Sequence, residues 1–369
     1  MLKKGGFSFD DREKEILYSI VRTHIATGEP VGSFALAKQS SERLSSATMR
    51  SICAELEDEG YLTHPHTSAG RVPTDKGYRY YVDNLMGSTK ISRSDVARIN
   101  ERLLGDDCLA IPGRLMERTS QLLSQLSDNV GIVVPPPITQ DILHHIEFVR
   151  LTDSRILVIT VSSAGRVQDR VIRSDEEFSQ DELNSTSRYL VENFQGCTLT
   201  DMRDELVRRM SEEKALYDRL LRNAVALCSQ SLQEGDQPDV FIEGASNMIA
   251  KRDFPDTERM RALFKMFEQK NRIVKILNEC IANAQSEAVA AVAVRIGSEN
   301  RFIDLRGCTV IASPCFYSGG TAVGSIGVVG PTRIEYDRLI SIVDYIAKLF
   351  ERVFDPENPA HKNRTARAL

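Results

Sequence analysis

The stretch from residue 45 to residue 82 restricts the fold of this chain more than any other part of the sequence. It reads SSATMRSICAELEDEGYLTHPHTSAGRVPTDKGYRYYV, which predicts an amphipathic helix, a strand, a polar loop around a glycine and a return strand. That order is typical of a winged helix, a helix-turn-helix module that reads double-stranded DNA. No other stretch of the sequence carries a comparable pattern for a functional site.

The composition limits the class of protein. A length of 369 residues suggests two or three domains, each able to bury its own core. The net charge is −5, so a DNA-binding surface has to be a local cationic patch. Seven cysteines without a CxxC pair indicate free thiols in a reducing compartment. Because no apolar run approaches a signal peptide or the roughly 18 residues of a membrane span, we expect a cytoplasmic protein without a membrane segment.

The first sixty residues predict three helices. The first begins at two aspartates, carries an apolar stripe and ends at Gly28. Ser33 is placed to cap a short second helix, and Ser45 or Ser46 to cap a third. The third helix is predicted to bury its apolar face, which carries Met49, Ile52, Cys53 and Leu56.

The opposite face of the third helix is the candidate DNA-reading surface. Its second half is acidic, and phosphates repel carboxylates, so the N-terminal turn is expected to enter the major groove. Arg50 is placed to bond a guanine edge or a phosphate, and Ala47 to contact a thymine methyl. The alternative is an amphipathic helix in a bundle that does not bind DNA. The residues of this face expected to contact DNA are Ser46, Ala47, Thr48, Arg50 and Ser51.

The hairpin that follows is the candidate wing. Between Tyr61 and Tyr81 three cations stand against one aspartate, a local net charge of +2. Small donors around Gly70 suit a minor groove or a phosphate ridge, whereas the alternative is an ordinary hairpin turn. Its candidate contacts are His66, Thr67, Ser68 and Arg71. Its expected packing residues are Tyr78, Tyr80 and Tyr81.

Other motifs do not support a catalytic or metal site. His64 and His66 flank Pro65, but no Cys or His cluster lies nearby in the sequence to complete a zinc site. The glycine-rich run GGTAVGSIGVVG lacks GxGxxG spacing and a P-loop lysine, so hairpin packing is the better interpretation. Cys308 and Cys315 are expected to be buried sheet residues rather than a redox pair. We therefore predict no catalytic residue, no metal, no cofactor and no enzymatic activity.

The remaining sequence predicts an α+β fold. A polar linker spans 87–95, and helices follow around 93–104 and 112–127. Strand patterns at 130–175 and 288–330 are expected to form one sheet, interrupted by a mostly helical insert. A last long helix runs from about Ile334 to Phe354.

Four segments carry a resemblance to a known family. They are GEPVGSFALAKQ, LSSATMRSICAELEDEGYL, PHTSAGRVPTDKGYR (Pro65 to Arg79) and, near the other end, GSIGVVGPTRIEYDRLISIVDYIAKLF (Gly324 to Phe350). The chain resembles the heat-inducible transcription repressor HrcA family, and similarity at both ends suggests that the resemblance covers most of its length.

The resemblance implies an N-terminal winged helix-turn-helix and a GAF-like α/β domain with an inserted, mostly helical dimerisation domain. It also implies a homodimer on an inverted-repeat operator of double-stranded DNA before groE- and dnaK-type chaperone genes, kept active by the GroEL chaperonin. The alternative is a ligand-gated regulator that senses a small molecule through the GAF-like domain. The expected limits are 1–86 for the winged helix, 87–110 for a linker and connecting helix, 111–180 and 286–355 for the two parts of the GAF-like domain, 181–285 for the dimerisation domain and 356–369 for a disordered tail.

Overall fold

The computed structural model describes most of the chain. The described residues are 9–33, 36, 45–65, 70–87, 90–105, 112–136, 142–152, 154–163, 166–174, 177–211, 223–228, 239–249, 251, 253–254, 257–284, 292–318 and 321–354. The expected tail, 356–369, and most of the expected second helix lie outside them.

The first helix, α1 (Asp11–Thr27), has the predicted start and stop signals. The Asp10 carboxylate accepts a hydrogen bond from the Glu13 amide at 2.7 Å, and the Glu13 carboxylate accepts one from the Asp10 amide at 2.7 Å. This reciprocal pair satisfies two amides that have no partner inside the helix. At the other end Gly28 adopts the left-handed conformation with φ of 75°, and its amide donates to the His24 carbonyl.

The predicted third helix forms as α2 (Ser46–Asp58), with Ser45 as its N-cap. Three of its four predicted apolar residues are fully buried and Ile52 packs against the same core, which confirms the predicted buried face. Strands β1 (Leu62–Thr63) and β2 (Val72–Pro73) follow and pair antiparallel. One further bridge joins Val31 to Arg71.

The chain leaves this hairpin as a helix, where the sequence predicted hairpin packing residues. Helix α3 (Asp75–Tyr80) begins directly after β2 and continues into a π-helical turn (Tyr81–Leu85). Thr74 causes the change, because its hydroxyl accepts the Gly77 amide as an N-cap and donates to the Gly60 carbonyl at 2.7 Å. The three tyrosines therefore lie on helical backbone, so the predicted return strand ends before them. They are packing residues as predicted, with Tyr78 and Tyr81 buried in the core and Tyr80 packed on Tyr61.

Seven further α-helices and eight further strands follow among the described residues. The helices are α4 (Arg93–Leu103), α5 (Pro112–Ser127), α6 (Gln180–Phe194), α7 (Leu199–Ser211), α8 (Thr257–Glu268), α9 (Lys270–Ala284) and α10 (Tyr336–Phe354). The strands are β3 (Val130–Val134), β4 (Leu143–Arg150), β5 (Arg155–Ser162), β6 (Val167–Arg173), β7 (Phe241–Glu243), β8 (Ala293–Ile296), β9 (Cys308–Ser318) and β10 (Thr321–Pro331). The predicted helices around 93–104 and 112–127 are confirmed.

A five-stranded antiparallel sheet organises the C-terminal half, in the order β7-β3-β10-β9-β8. Helices α5 and α10 share a core with one face of this sheet, and the N-terminal elements belong to that same core. Helices α8 and α9 pack on the other face. The N-terminal unit, residues 9–87, is therefore packed against the sheet domain through one continuous apolar cluster.

Strands β4 to β6 form a separate three-stranded antiparallel sheet. Only β3 of the predicted strands at 130–175 joins the large sheet, so the expectation of one common sheet is wrong for the other three. Helices α6 and α7 bury their apolar faces on this small sheet, and the Phe148 amide donates to Ser187 Oγ at 3.2 Å. The expected boundary between 180 and 181 therefore cuts through a packed unit, because sequence alternation shows strands but not their partners.

Among the described residues, no helix combines the length and apolar character needed to cross a membrane.

Candidate nucleic-acid interface

The exposed face of α2 presents the predicted residues at its N-terminal end. Ala47, Thr48, Arg50 and Ser51 are all exposed, opposite the buried Met49. Ser46 begins the helix, and its side chain lies outside the described part of the structure. Exposure leaves these residues available to a ligand, and their contacts with DNA stay a prediction.

The first turn of α2 carries hydroxyl groups. Ser45 Oγ accepts from the Thr48 amide at 3.1 Å and lies 3.0 Å from Thr48 Oγ1. Because the first amides of a helix lack partners within it and the helix dipole is positive there, this end attracts anions. It is therefore the end of α2 that suits a phosphate backbone.

Arg50 projects from the next position on the same side. Its side chain is exposed, and no carboxylate among the residues that the structure describes forms an ion pair with its guanidinium. Ser51, one residue on, donates to Glu55 Oε1 at 3.4 Å and is drawn toward the acidic end of the helix. Arg50 is thus the strongest base-reading candidate on this face.

The hairpin lies beside α2, and its tip residues His66, Thr67 and Ser68 lie outside the described residues. Its base is held by two backbone hydrogen bonds of 2.9 Å between Val31 and Arg71. Gly70 approaches the Val31 carbonyl so closely that a Cβ would lie 2.4 Å from the Val31 carbonyl carbon. The position therefore requires glycine because of space, and the loop starts from a rigid base.

Arg71 occupies a different environment from the one that the sequence suggested. Its side chain is 16% exposed, and its Nε lies 3.5 Å from Glu57 Oε2. Glu57 Oε1 also lies 2.6 Å from Nδ1 of His64, at the other end of the hairpin loop. Sequence reasoning missed Glu57 and its pairing with His64, because the acidic end of α2 was interpreted only as a region that DNA avoids.

The contact with Glu57 gives the His64 ring a partner on α2. Within the described ranges, no group of three or more His, Cys, Asp or Glu side chains is arranged to hold a metal ion. Below the pair lies Cys53, where burial raises the pKa of the thiol. The raised pKa keeps this cysteine a neutral core residue.

A second set of residues missed by sequence reasoning joins the N-terminal unit to the large sheet. Arg79 donates to both carboxylate oxygens of Glu299, at 2.8 and 2.6 Å, and to the Val294 carbonyl at 2.7 Å. The Asp75 carboxylate accepts from the Ser298 amide at 2.8 Å. Helix α3 is thereby tied by charged hydrogen bonds to the segment that follows β8.

The last helix completes this junction. Arg22 of α1 donates to Asp337 at 2.8 Å. Arg338 donates to both oxygens of Asp95 at 3.1 and 3.0 Å, and these bonds lower the pKa of that carboxyl. The pairs connect α1, α4 and α10, so the orientation of the N-terminal unit depends on contacts far apart in the sequence.

A cleft of about 580 Å³ lies at this junction. Its lining is mainly polar and includes Lys90, Asp95, Arg98 and Arg338. Pockets for small organic ligands are mostly apolar. This cleft therefore does not resemble a pocket for an apolar small molecule.

Comparisons with known proteins identify the family. The family model described as HrcA protein C terminal domain matches residues 113–340. The heat-inducible transcription repressor HrcA of Geobacter sulfurreducens is 44% identical over 349 residues, covering 94% of this chain and 98% of that protein. The repressors of the same name from Pelotomaculum thermopropionicum and Syntrophobacter fumaroxidans are 35% and 34% identical, covering 94% and 93% of this chain and 97% of each protein.

A solved structure supports the overall architecture. A hypothetical protein determined at 2.2 Å resolution superposes with a TM-score of 0.63 at 23% identity, over 94% of this chain and 99% of that one. At this level of identity the likeness shows a shared fold alone. The sequence relatives, matched over almost their whole length, show that the chain belongs to the HrcA family of heat-inducible transcription repressors.

Proposed function

We propose that the chain is a cytoplasmic, homodimeric repressor that binds an inverted-repeat operator upstream of chaperone genes. In this proposal residues 1–86 form the winged helix, and the five-stranded sheet with its helices is the GAF-like domain. The observation that carries it is the N-terminal turn of α2, exposed beside a hairpin whose base is held rigidly. The names of the relatives agree with a role in repression.

The proposed reading surface combines the helix end with the hairpin loop. The first turn of α2 enters the major groove, where Arg50 reads a base edge and Ser46, Ala47, Thr48 and Ser51 lie against the groove wall. His66, Thr67 and Ser68 follow the adjacent phosphates or minor groove, with Arg71 at the base of their loop. The acidic end of α2 is directed away from the duplex.

We propose that the dimer forms through the unit around the small sheet, residues 142–228, in place of the range 181–285. The outer face of this sheet exposes Val167 and Val171, which are 67% and 52% exposed. Their partners across the strands, Leu157 and Val161, are only half-buried on the same face. Exposed Glu147 and Asp169 lie between these apolar pairs on the same face. A partly apolar sheet face suits a second copy of the chain, and a two-fold dimer presents two reading surfaces to a palindrome.

The direct test is protection of a chaperone-gene promoter by the purified protein. We expect a two-fold symmetric footprint, with Arg50→Ala weakening operator binding by about 1–3 kcal/mol and relaxing specificity at one base position. The physical reason is the loss of a charged donor pair from a base edge. Titration of operator and single-base variants in a gel-shift assay measures both effects.

Arg102→Ala, on the exposed side of α4, is the matched control and should leave operator affinity unchanged. Loss of affinity for every duplex alike in Arg50→Ala would remove the base-reading role. Absence of any footprint at modest ionic strength from folded, dimeric protein would contradict the repressor proposal itself.

Heat control follows from linkage if the active dimer is marginally stable. A chaperonin that binds or refolds the repressor raises the concentration of the active form, and competition from misfolded clients lowers it. We expect added GroEL to increase the operator-binding fraction of the purified protein, and excess unfolded client to reverse the increase. An operator-binding fraction that does not respond to the chaperonin would contradict this part of the proposal.

A further inference from the structure

The carboxylate of Glu57 is unfavourable for DNA binding by charge alone. It lies in the last turns of α2, next to a surface that we propose to face a polyanion, and phosphates repel it. The side chain is nevertheless 31% exposed and engaged with two partners, so it is not simply directed into solvent. Its contacts indicate a role other than solubility.

The two partners of Glu57 flank the hairpin loop. His64 follows β1 directly and lies 2.6 Å from Oε1, and Arg71 precedes β2 directly and lies 3.5 Å from Oε2. Only residues 65–70 separate them along the chain. One carboxylate on the candidate recognition helix therefore contacts both ends of the loop, through a hydrogen bond to His64 and a longer ion pair with the buried Nε of Arg71, for which the described residues supply no hydrogen bond. The Val31 bridge fixes the Arg71 backbone from the other side.

We infer that Glu57 is a positioning residue that holds the two ends of the hairpin, His64 and Arg71, beside α2, and that Arg71 acts through this ion pair instead of neutralising a phosphate. The inference rests on the proposed DNA binding. Arg71 has little freedom to reach a duplex, because its side chain is 16% exposed and its backbone is bridged. A hairpin whose two ends are already held in the free protein loses less entropy on binding, which favours a specific complex.

The direction in which a single substitution changes operator affinity separates this role from that of a plain surface charge. We expect Glu57→Gln to weaken operator binding about tenfold, the size of one lost charged hydrogen bond, although it removes a negative charge. Affinity for a scrambled duplex should stay the same or rise. Glu59→Gln, the same change at an exposed position two residues on, should strengthen binding to both duplexes slightly.

Arg71→Gln tests the same pair from the other side and also serves if Glu57→Gln does not fold. We expect it to weaken operator binding without changing the slope of log K against log salt. The double variant should bind the operator no more weakly than the more affected of the two single variants. A slope reduced by about 1 would assign Arg71 to a phosphate and overturn the inference. Glu57→Gln behaving like Glu59→Gln would overturn it as well.

The wild-type measurement separates this inference from the proposed function. Wild-type protein that binds no inverted repeat contradicts the proposed function. Wild-type protein that binds its operator, with Glu57→Gln equal to the control variant, contradicts only the positioning role.

Discussion

Leu56→Ala should lower the free energy of unfolding by about 2–5 kcal/mol, because it leaves a cavity in the core beneath the candidate recognition helix. Leu56 is completely buried, and it lies in the cluster that includes α1 and the hairpin base. The loss is expected to appear as an earlier transition of the N-terminal unit in urea, followed by circular dichroism. At low temperature, where the variant is still folded, its operator affinity should approach that of the wild type.

The matched control is Ala54→Ser on the exposed side of the same helix, which should change stability by less than about 0.5 kcal/mol. An equally stable Leu56→Ala protein would show that α2 is not packed as described. A variant with normal stability but no operator binding would place Leu56 at the DNA surface.

Arg79→Ala should lower the free energy of unfolding of the N-terminal unit by about 2–3 kcal/mol, because three charged hydrogen bonds between this unit and the large sheet are lost together. Its side chain is 29% exposed and the Glu299 side chain 28%, so screening by solvent keeps the cost below that of a fully buried pair. The Val294 carbonyl also loses its donor. We expect the N-terminal unit to melt separately from the sheet domain, detected as a split calorimetric transition.

Arg102→Ala again provides the control, as an exposed arginine lost from α4 without disturbing the junction. Glu299→Gln should reproduce part of the effect, and the double substitution should cost less than the sum of the two single ones. A single unchanged transition in Arg79→Ala would show that the apolar cluster alone joins the two parts.

Much of the N-terminal unit was predictable because its signals are local. The capping pair at Asp10, the glycine stop at Gly28 and the buried face of α2 all depend on residues within a few positions of one another. The candidate contact face of α2 was predictable for the same reason. Its exposure agrees with the prediction, whereas its contacts with DNA stay untested.

Predictions that required distant partners were less successful. Alternating apolar residues identified β4, β5 and β6 as strands, but the sequence could not show that they pair only with one another. The helical course after Thr74 was missed, because its cap depends on a carbonyl at Gly60 as well as on the amide of Gly77. The role assigned to Arg71 ignored Glu57, fourteen positions earlier.

The amino-acid order by itself determined the ends of α1 and α2, the family resemblance and which end of α2 we propose to face DNA, since hydrogen bonding and periodicity act over one or two turns. Tertiary structure alone decided which strands share a sheet, how Arg79 ties the N-terminal unit to the large sheet and which groups surround Arg71. Those outcomes depend on contacts between residues up to 220 positions apart, and burial decides which of them form.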